Sequence, residues 1–354
     1  MSGAPQSPAA HGGAAMQAAE LAAALAAAMA RRTGVGGRVQ NLRRLTGGAT
    51  KQTWSFDFAS ADACSPLILQ RLAAPVSGNP GKPDQARAPK LSAEEDARLM
   101  IAAHAQGVPA PVVRLILGAE DGLGQGYVTE RVEGETLGRR IVRDPGYAVA
   151  RTRMTRQCGQ ILAAIHRLPS RELPFLACLS PADELAVYSA FVTGLGLDNP
   201  ALAFALRWTR ENLPSRWSSA VVHADFRTGN LIVGPDDGIR CVLDWEIARI
   251  GDPMQDLGVL CMRTWRFGGP APVGGFGSRE ELYAAYADAG GAAVDPERVR
   301  FWEAFSNMKW AIACLRRGLA TTADGQPASV ELCAIGRRLE EPLWDFFELI
   351  ETSG

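Results

Sequence analysis

Residues 220–249 constrain this chain more than any other stretch. They form a β-rich island in a second half that otherwise reads as helix. Two runs rich in Val, Ile and Leu, VVHADFRTGNLIV and IRCVLDWEIARIGDP, flank the turn sequence Gly-Pro-Asp-Asp-Gly. That pattern reads as an antiparallel hairpin. In a hairpin the start of the first strand and the end of the second share an edge, so Asn230 falls beside Asp244 although fourteen positions separate them. Asp225, on the segment entering the first strand, comes to the same edge. Two carboxylates and an amide brought together are oxygen ligands suited to Mg²⁺ carrying phosphate.

The remaining composition narrows what can surround that edge. With 354 residues, 47% of them hydrophobic, the chain is long enough for two lobes with separate cores. Its 37 basic residues nearly balance 38 acidic ones, so there is no broad field to attract nucleic acid or a membrane, and neither is an expected partner. Seven scattered cysteines without a CxxC pair suit reduced thiols in a cytoplasmic protein better than a disulfide framework or structural zinc. The start lacks the basic region of a secretory signal, and the alanine-rich run after it carries Glu20 and is too short to span a bilayer. A soluble protein is expected.

Along the chain, residues 1–16 are rich in Gly, Pro, Ser and Ala and are expected to be disordered, with a weakly amphipathic surface helix over 18–32. The runs VQNLRRL, KQTWSFDF and SPLILQRL then read as three consecutive antiparallel strands. Prolines make 75–89 a loop, and Ser92 with Glu95 opens a capped helix over 92–106. After the strand in GYVTERVEG the pattern turns helical, at 148–167, 181–194, 200–212, 279–289, 296–319 and 329–351. The lobe boundary falls there, giving an N-lobe over 17–132 and a C-lobe over 133–354.

His223, Asp225 and Asn230 keep the register of the kinase catalytic loop H-R-D-x-x-x-x-N, and Asp244 stands where a second metal-binding Asp is required. On these residues the sequence resembles the aminoglycoside phosphotransferase superfamily, whose signature is an H-G-D-x-x-x-x-N loop followed by a hydrophobic-Asp motif. It is most similar to the branch found fused to, or near, acyl-CoA dehydrogenases. The likeness runs from about residue 38 to residue 345. It implies an α+β, two-lobed protein-kinase-like fold, with a small antiparallel-sheet N-lobe and a mainly helical C-lobe. It also implies that Asp225 is the catalytic base at the substrate hydroxyl, grouped with His223, which braces the loop, and Arg227. Asn230 and Asp244 are then the Mg²⁺ ligands. Ala224 replaces the family's glycine, a departure tolerated if its φ is negative. Asp256, in the following GDPMQDLG, is expected to accept loop N–H bonds, and Asp252 to be an ordinary helix N-cap.

By the same resemblance Gly47, Gly48 and Thr50 form the turn that covers the phosphates of ATP. The phosphate-gripping lysine is missing, because the third strand reads Leu67-Ile68-Leu69-Gln70-Arg71. Gln70 takes its place by register and Arg71 by chemistry, and Lys51 is a third candidate. Asp96 is the acid partner, and the backbone around Thr129, Glu130 and Val132 would read adenine. The function implied is ATP- and Mg²⁺-dependent transfer of the γ-phosphoryl group to a small-molecule hydroxyl; the alternative is a pseudokinase-like binding module without turnover. Arg263 and Arg266, flanking Trp265, favour a hydroxyacyl-type or other non-basic alcohol over an aminoglycoside.

Overall fold

The computed structural model describes residues 9–45, 51–72, 89–321 and 326–351, with side chains from residue 18 onward. They fall into two compact units: Met1–Val76, Ser92–Ile101 and Pro111–Arg131 make the first, and the remainder makes the second.

In the first unit, helix α1 (Ala9–Thr33) precedes strands β1 (Gly37–Leu45), β2 (Lys51–Ser60) and β3 (Cys64–Leu72). Helix α2 (Ala93–Ala105) and strands β4 (Val113–Ile116) and β5 (Gly126–Glu130) follow. The five strands form one antiparallel sheet in the order β1-β2-β3-β5-β4. Phe56 and Phe58 on β2, Leu67 and Leu69 on β3, Leu115 on β4 and Val128 on β5 are buried together, the period-two pattern of a sheet with one face in a core. Ser92 caps α2 as its sequence requires: its Oγ accepts from Glu95 N–H at 3.3 Å, and the Glu95 carboxylate accepts from Ser92 N–H at 2.8 Å.

Helix α1 differs from expectation in two respects. It begins at Ala9, inside the segment expected to be disordered, and it is not a surface helix. Leu21, Leu25, Ala28 and Met29 recur at helical spacing and join the sheet's core, so a few large residues among alanines suffice to make a buried stripe. Arg31 donates to Asp121 at 2.8 Å, and Arg32 pairs with Glu120, fastening the helix end.

The second unit contains helices α3 (Gly138–Arg143), α4 (Ala148–His166), α5 (Pro181–Leu195) and α6 (Pro200–Glu211). Four short strands follow: β6 (Ala220–Val222), β7 (Leu231–Gly234), β8 (Gly238–Val242) and β9 (Arg249–Gly251). Helices α7 (Met254–Cys261), α8 (Arg279–Asp288), α9 (Pro296–Gly318), α10 (Val330–Gly336) and α11 (Glu340–Glu351) complete it. Phe301, Trp302, Phe305, Met308 and Ile312 bury α9 as the central helix. The single helix expected over 329–351 is two, the first ending at Gly336, which packs on Gly318 of α9 with no room for a Cβ on either. The expected hairpin is also two ribbons, one inside the other: β7 pairs with β8 and β6 with β9. Ala224 and Asp244, at φ +66° and +67°, bend the chain between them.

All seven cysteines are free. Burial pushes the Cys241 and Cys261 thiols up to about 12 and Cys314 to about 11, while Cys64 and Cys178 are exposed. Among the described residues no helix is long and apolar enough to cross a membrane. Since Leu25 is fully buried and Glu20 exposed, Leu25→Ala should lower unfolding stability by ~2–5 kcal/mol in urea titration, and Glu20→Ala should leave it nearly unchanged.

Candidate active site

The loop between β6 and β7 is shaped by a carboxylate from outside it. Asp256, in the first turn of α7, is completely buried and accepts two consecutive backbone N–H groups, from His223 at 2.8 Å and Ala224 at 2.7 Å. The expected role of Asp256 therefore matches its geometry. The expected negative φ at Ala224 does not: the residue is left-handed, at a cost of ~1–2 kcal/mol for a side chain with a Cβ. The paired bonds to Asp256 hold it there. His166 Nε2 lies 3.1 Å from the same carboxylate, and its Nδ1 is 2.7 Å from the Tyr286 hydroxyl. Burial works against the charged form of Asp256, but the hydrogen bond and charge of His166, together with His223, outweigh it and hold the carboxyl below its ordinary value. His166 and Tyr286 carry no motif in a single sequence and were not among the residues expected at the site.

His223 joins the two arms of the outer ribbon. Its Nε2 lies 3.0 Å from the Leu243 carbonyl oxygen and its Nδ1 accepts from Asp225 N–H at 3.3 Å, which fixes the proton on Nε2. Trp245 packs against the ring, with centroids 4.8 Å apart. The Asp225 carboxylate accepts from Asn230 Nδ2 at 2.7 Å and from Arg227 Nε at 3.0 Å, so both oxygens are oriented. Arg227 in turn lies over Trp265, 4.3 Å from the ring centroid.

Leu231 pairs with Val242, and Leu243 N–H donates to the Asn230 carbonyl at 2.8 Å, which brings Asn230 and Asp244 to one edge. Asn230 directs its amide nitrogen to the carbonyl and carboxylate of Asp225, which turns its amide oxygen away from them. Asp244 is exposed at the bend after β8. One amide oxygen and one carboxylate fit Mg²⁺, which keeps several waters and takes phosphate oxygens as further ligands. Among the described residues no group of three His, Cys, Asp or Glu forms a closed metal cage.

In the first unit, Lys51 Nζ lies 2.7 Å from Asp96 Oδ2, and the Tyr127 hydroxyl donates to the same oxygen at 2.8 Å while contacting the Gln70 amide. Arg71 is turned elsewhere, donating to Gln52 at 3.1 Å and to the Leu123 carbonyl at 3.4 Å. Thr129 lies opposite Ile68 in the sheet, and Glu130 gives its N–H to the Val112 carbonyl at 2.9 Å. Val132 belongs to the second unit. Gly47, Gly48 and Thr50 lie outside the described residues.

Three expectations in the second unit are corrected. Asp252 accepts from Met254 N–H at 3.1 Å, yet it is also fully buried, bonded to the Trp302 indole at 2.8 Å and ion-paired with Arg298 at 3.2 Å. It anchors α9 as well as the start of α7. Arg263 pairs with Glu348 at 2.6 Å, and Arg266 donates to the last carbonyl of α7, on Cys261, at 2.7 Å and to Glu303 at 3.3 Å. Each arginine thus already faces an acid, and neither offers an uncompensated charge.

A five-stranded antiparallel unit and a mainly helical unit carrying this loop define a kinase-like phosphotransferase. The model of the phosphotransferase enzyme family (APH) matches residues 41–302, and the chain belongs to that family. A candidate aminoglycoside phosphotransferase from Ralstonia eutropha has a similar structure, with TM-score 0.70 and 20% identity over 93% of this chain and 98% of that one. Macrolide 2'-phosphotransferase of Brachybacterium faecium superposes with TM-score 0.57 at 18% identity, covering 92% of this chain and 98% of its own. Plasmodium vivax ethanolamine kinase gives 0.54 at 13%, covering 85% and 82%. In sequence, acyl-CoA dehydrogenase family member 10 of Mus musculus is 29% identical over 42% of this chain but only 15% of its own length. Member 11 of that species is 28% identical over 43% and 21%. The chain thus matches less than a quarter of these relatives.

Two substitutions test the clamp. Ala224→Gly relieves the left-handed strain and should raise stability by about 1 kcal/mol in thermal or urea unfolding. Asp256→Asn keeps the shape and removes the charge. Because the folded carboxyl is held below its unfolded value, its contribution is present above the unfolded pKa and lost as pH falls through the folded one. The variant should be less stable than wild type at neutral pH, and the difference should shrink in acid unfolding curves.

Proposed function

We propose that this protein transfers the γ-phosphoryl group of ATP to the hydroxyl of a small molecule. The observation that carries the reading is the Asp225 carboxylate, oriented by Asn230 and Arg227 on a loop whose backbone Asp256 clamps. Asp225 accepts the proton as the hydroxyl oxygen attacks the γ-phosphorus, and the bond to ADP breaks in line. Asn230 and Asp244 are the residues that would hold Mg²⁺, whose charge neutralises the transferring phosphate. His223 and Asp256 preserve the loop's geometry, so that most of the protein's contribution is positioning.

For the acceptor we favour a hydroxyacyl-type or other non-basic alcohol over an aminoglycoside. Arg263 and Arg266 no longer support this, but a different set of side chains does. Arg227 lies 4.3 Å over Trp265, the Trp265 and Trp310 rings are 4.9 Å apart, and Arg317 lies 5.0 Å over Trp310. The two Trp rings, tilted at 57° with a guanidinium over each, suit an anionic, apolar-bodied ligand better than a polycation; Arg227 is shared with Asp225, so Arg317 supplies the charge left uncompensated among the described residues. The names of the sequence relatives, acyl-CoA dehydrogenase family members, point in the same direction.

The test is ATP consumption by purified protein with hydroxy acids, their thioesters and kanamycin. Asp225→Asn should lower turnover by about 10²–10⁴-fold while Mg·ATP binding persists. Asp244→Ala should make nucleotide binding indifferent to chelator in calorimetry. Efficient phosphorylation of kanamycin with none of the hydroxy compounds would overturn the acceptor preference.

A further inference from the structure

We propose that Lys51, on β2, supplies the cation that grips the α- and β-phosphates, with Asp96 and Tyr127 as its bracket. This deepens the ATP-dependent reading above and rests on it. The sequence alone left Gln70, Arg71 and Lys51 as alternatives, and the register of the sheet separates them.

Successive residues of a strand face opposite sides, so Gln70 and Arg71 cannot serve the same ligand face. Arg71 lies opposite Gln52 and bonds to it, which assigns both to one side of the sheet. Gln70 lies opposite Thr53 on β2 and opposite Tyr127 on β5. Lys51 is two residues from Thr53, which makes it the diagonal same-face neighbour of Gln70. Lys51, Gln70 and Tyr127 therefore share the face that meets Asp96.

The acid completes the case. Asp96 is only 1% exposed, and an isolated buried carboxylate is costly unless a cation answers it. Lys51 answers it at 2.7 Å, with its own side chain 14% exposed. The Tyr127 hydroxyl holds the same carboxylate oxygen at 2.8 Å, and Asp96 Oδ1 is a buried oxygen without a hydrogen-bond partner. An ammonium carries three donors, so one lysine can bond a carboxylate and a phosphate together. The charge absent from the Gln70 face of β3 is thus supplied one strand away, from the same face, and held by the acid already expected to pair with it. A surface ion pair would have left Asp96 in solvent.

Affinity for ADP and for adenosine, measured by calorimetry with Mg²⁺, separates a phosphate grip from a structural ion pair. Lys51→Met should weaken ADP binding on the order of tenfold to a hundredfold and leave adenosine binding nearly unchanged. The double variant Lys51→Met with Gln70→Lys should recover most of the loss, because a lysine at 70 reaches Asp96 from the same face. In the wild-type protein, ATP should protect Lys51 from acetylation, read by mass spectrometry, a measurement that needs no variant to fold. Equal ADP affinity in Lys51→Met, a loss in Arg71→Met in its place, or Lys51 labelling indifferent to ATP would each overturn the proposal. Wild-type protein that binds adenosine nucleotides nowhere would instead remove the phosphotransfer reading itself.

Discussion

The carboxylate of Asp256 is the interaction on which the geometry of the loop depends. A left-handed Ala224 is unfavourable by itself, and two consecutive N–H groups turned inward would be more so if unpaired. Asp256 resolves both problems with one side chain, since its two oxygens are spaced to accept adjacent N–H groups. It does so from the first turn of α7, where the helix dipole favours a negative charge. The link continues through His166 on α4 to Tyr286 on α8. The backbone just before Asp225 is therefore tied to three helices, α7, α4 and α8.

A second constraint is the nesting of the two ribbons. Each arm of the island carries one left-handed residue, Ala224 on the way in and Asp244 on the way out. The inner ribbon β7-β8 fixes the register of Asn230, and the outer ribbon β6-β9 fixes the ends of the arms. His223 then ties one arm to the other through the Leu243 carbonyl. Backbone pairing brings Asp225, Asn230 and Asp244 together and side-chain bonds orient Asp225, which is how so short a segment places three functional groups.

What could be read from the sequence was what local spacing decides. Strands β1, β2, β3 and β5, the Ser92 capping box, most helices and the approach of Asn230 to Asp244 follow from periodicity and turn residues. What escaped reading depends on partners far along the chain. The conformation of Ala224 is set by Asp256, 32 residues away, and the end of α10 at Gly336 coincides with its contact on Gly318 of α9. Arg263 and Arg266 looked available because their acids, Glu348 and Glu303, lie 85 and 37 residues on. Helix α1 was misjudged for another reason: its alanines dilute the stripe of Leu21, Leu25 and Met29 below what a pattern reveals. The choice among Gln70, Arg71 and Lys51 needed strand register, which no single segment contains.

The distribution of the thiols has a practical consequence. Cys158, Cys241, Cys261 and Cys314 are buried, with their thiolates disfavoured, and should resist maleimides at neutral pH. The two exposed thiols are divided between the units, Cys64 in the first and Cys178 in the second, and Cys333 is half-buried. With Cys333 replaced by serine, the chain keeps one exposed thiol in each unit as a spectroscopic handle. Each dye would then report on the unit that carries it, without an introduced cysteine.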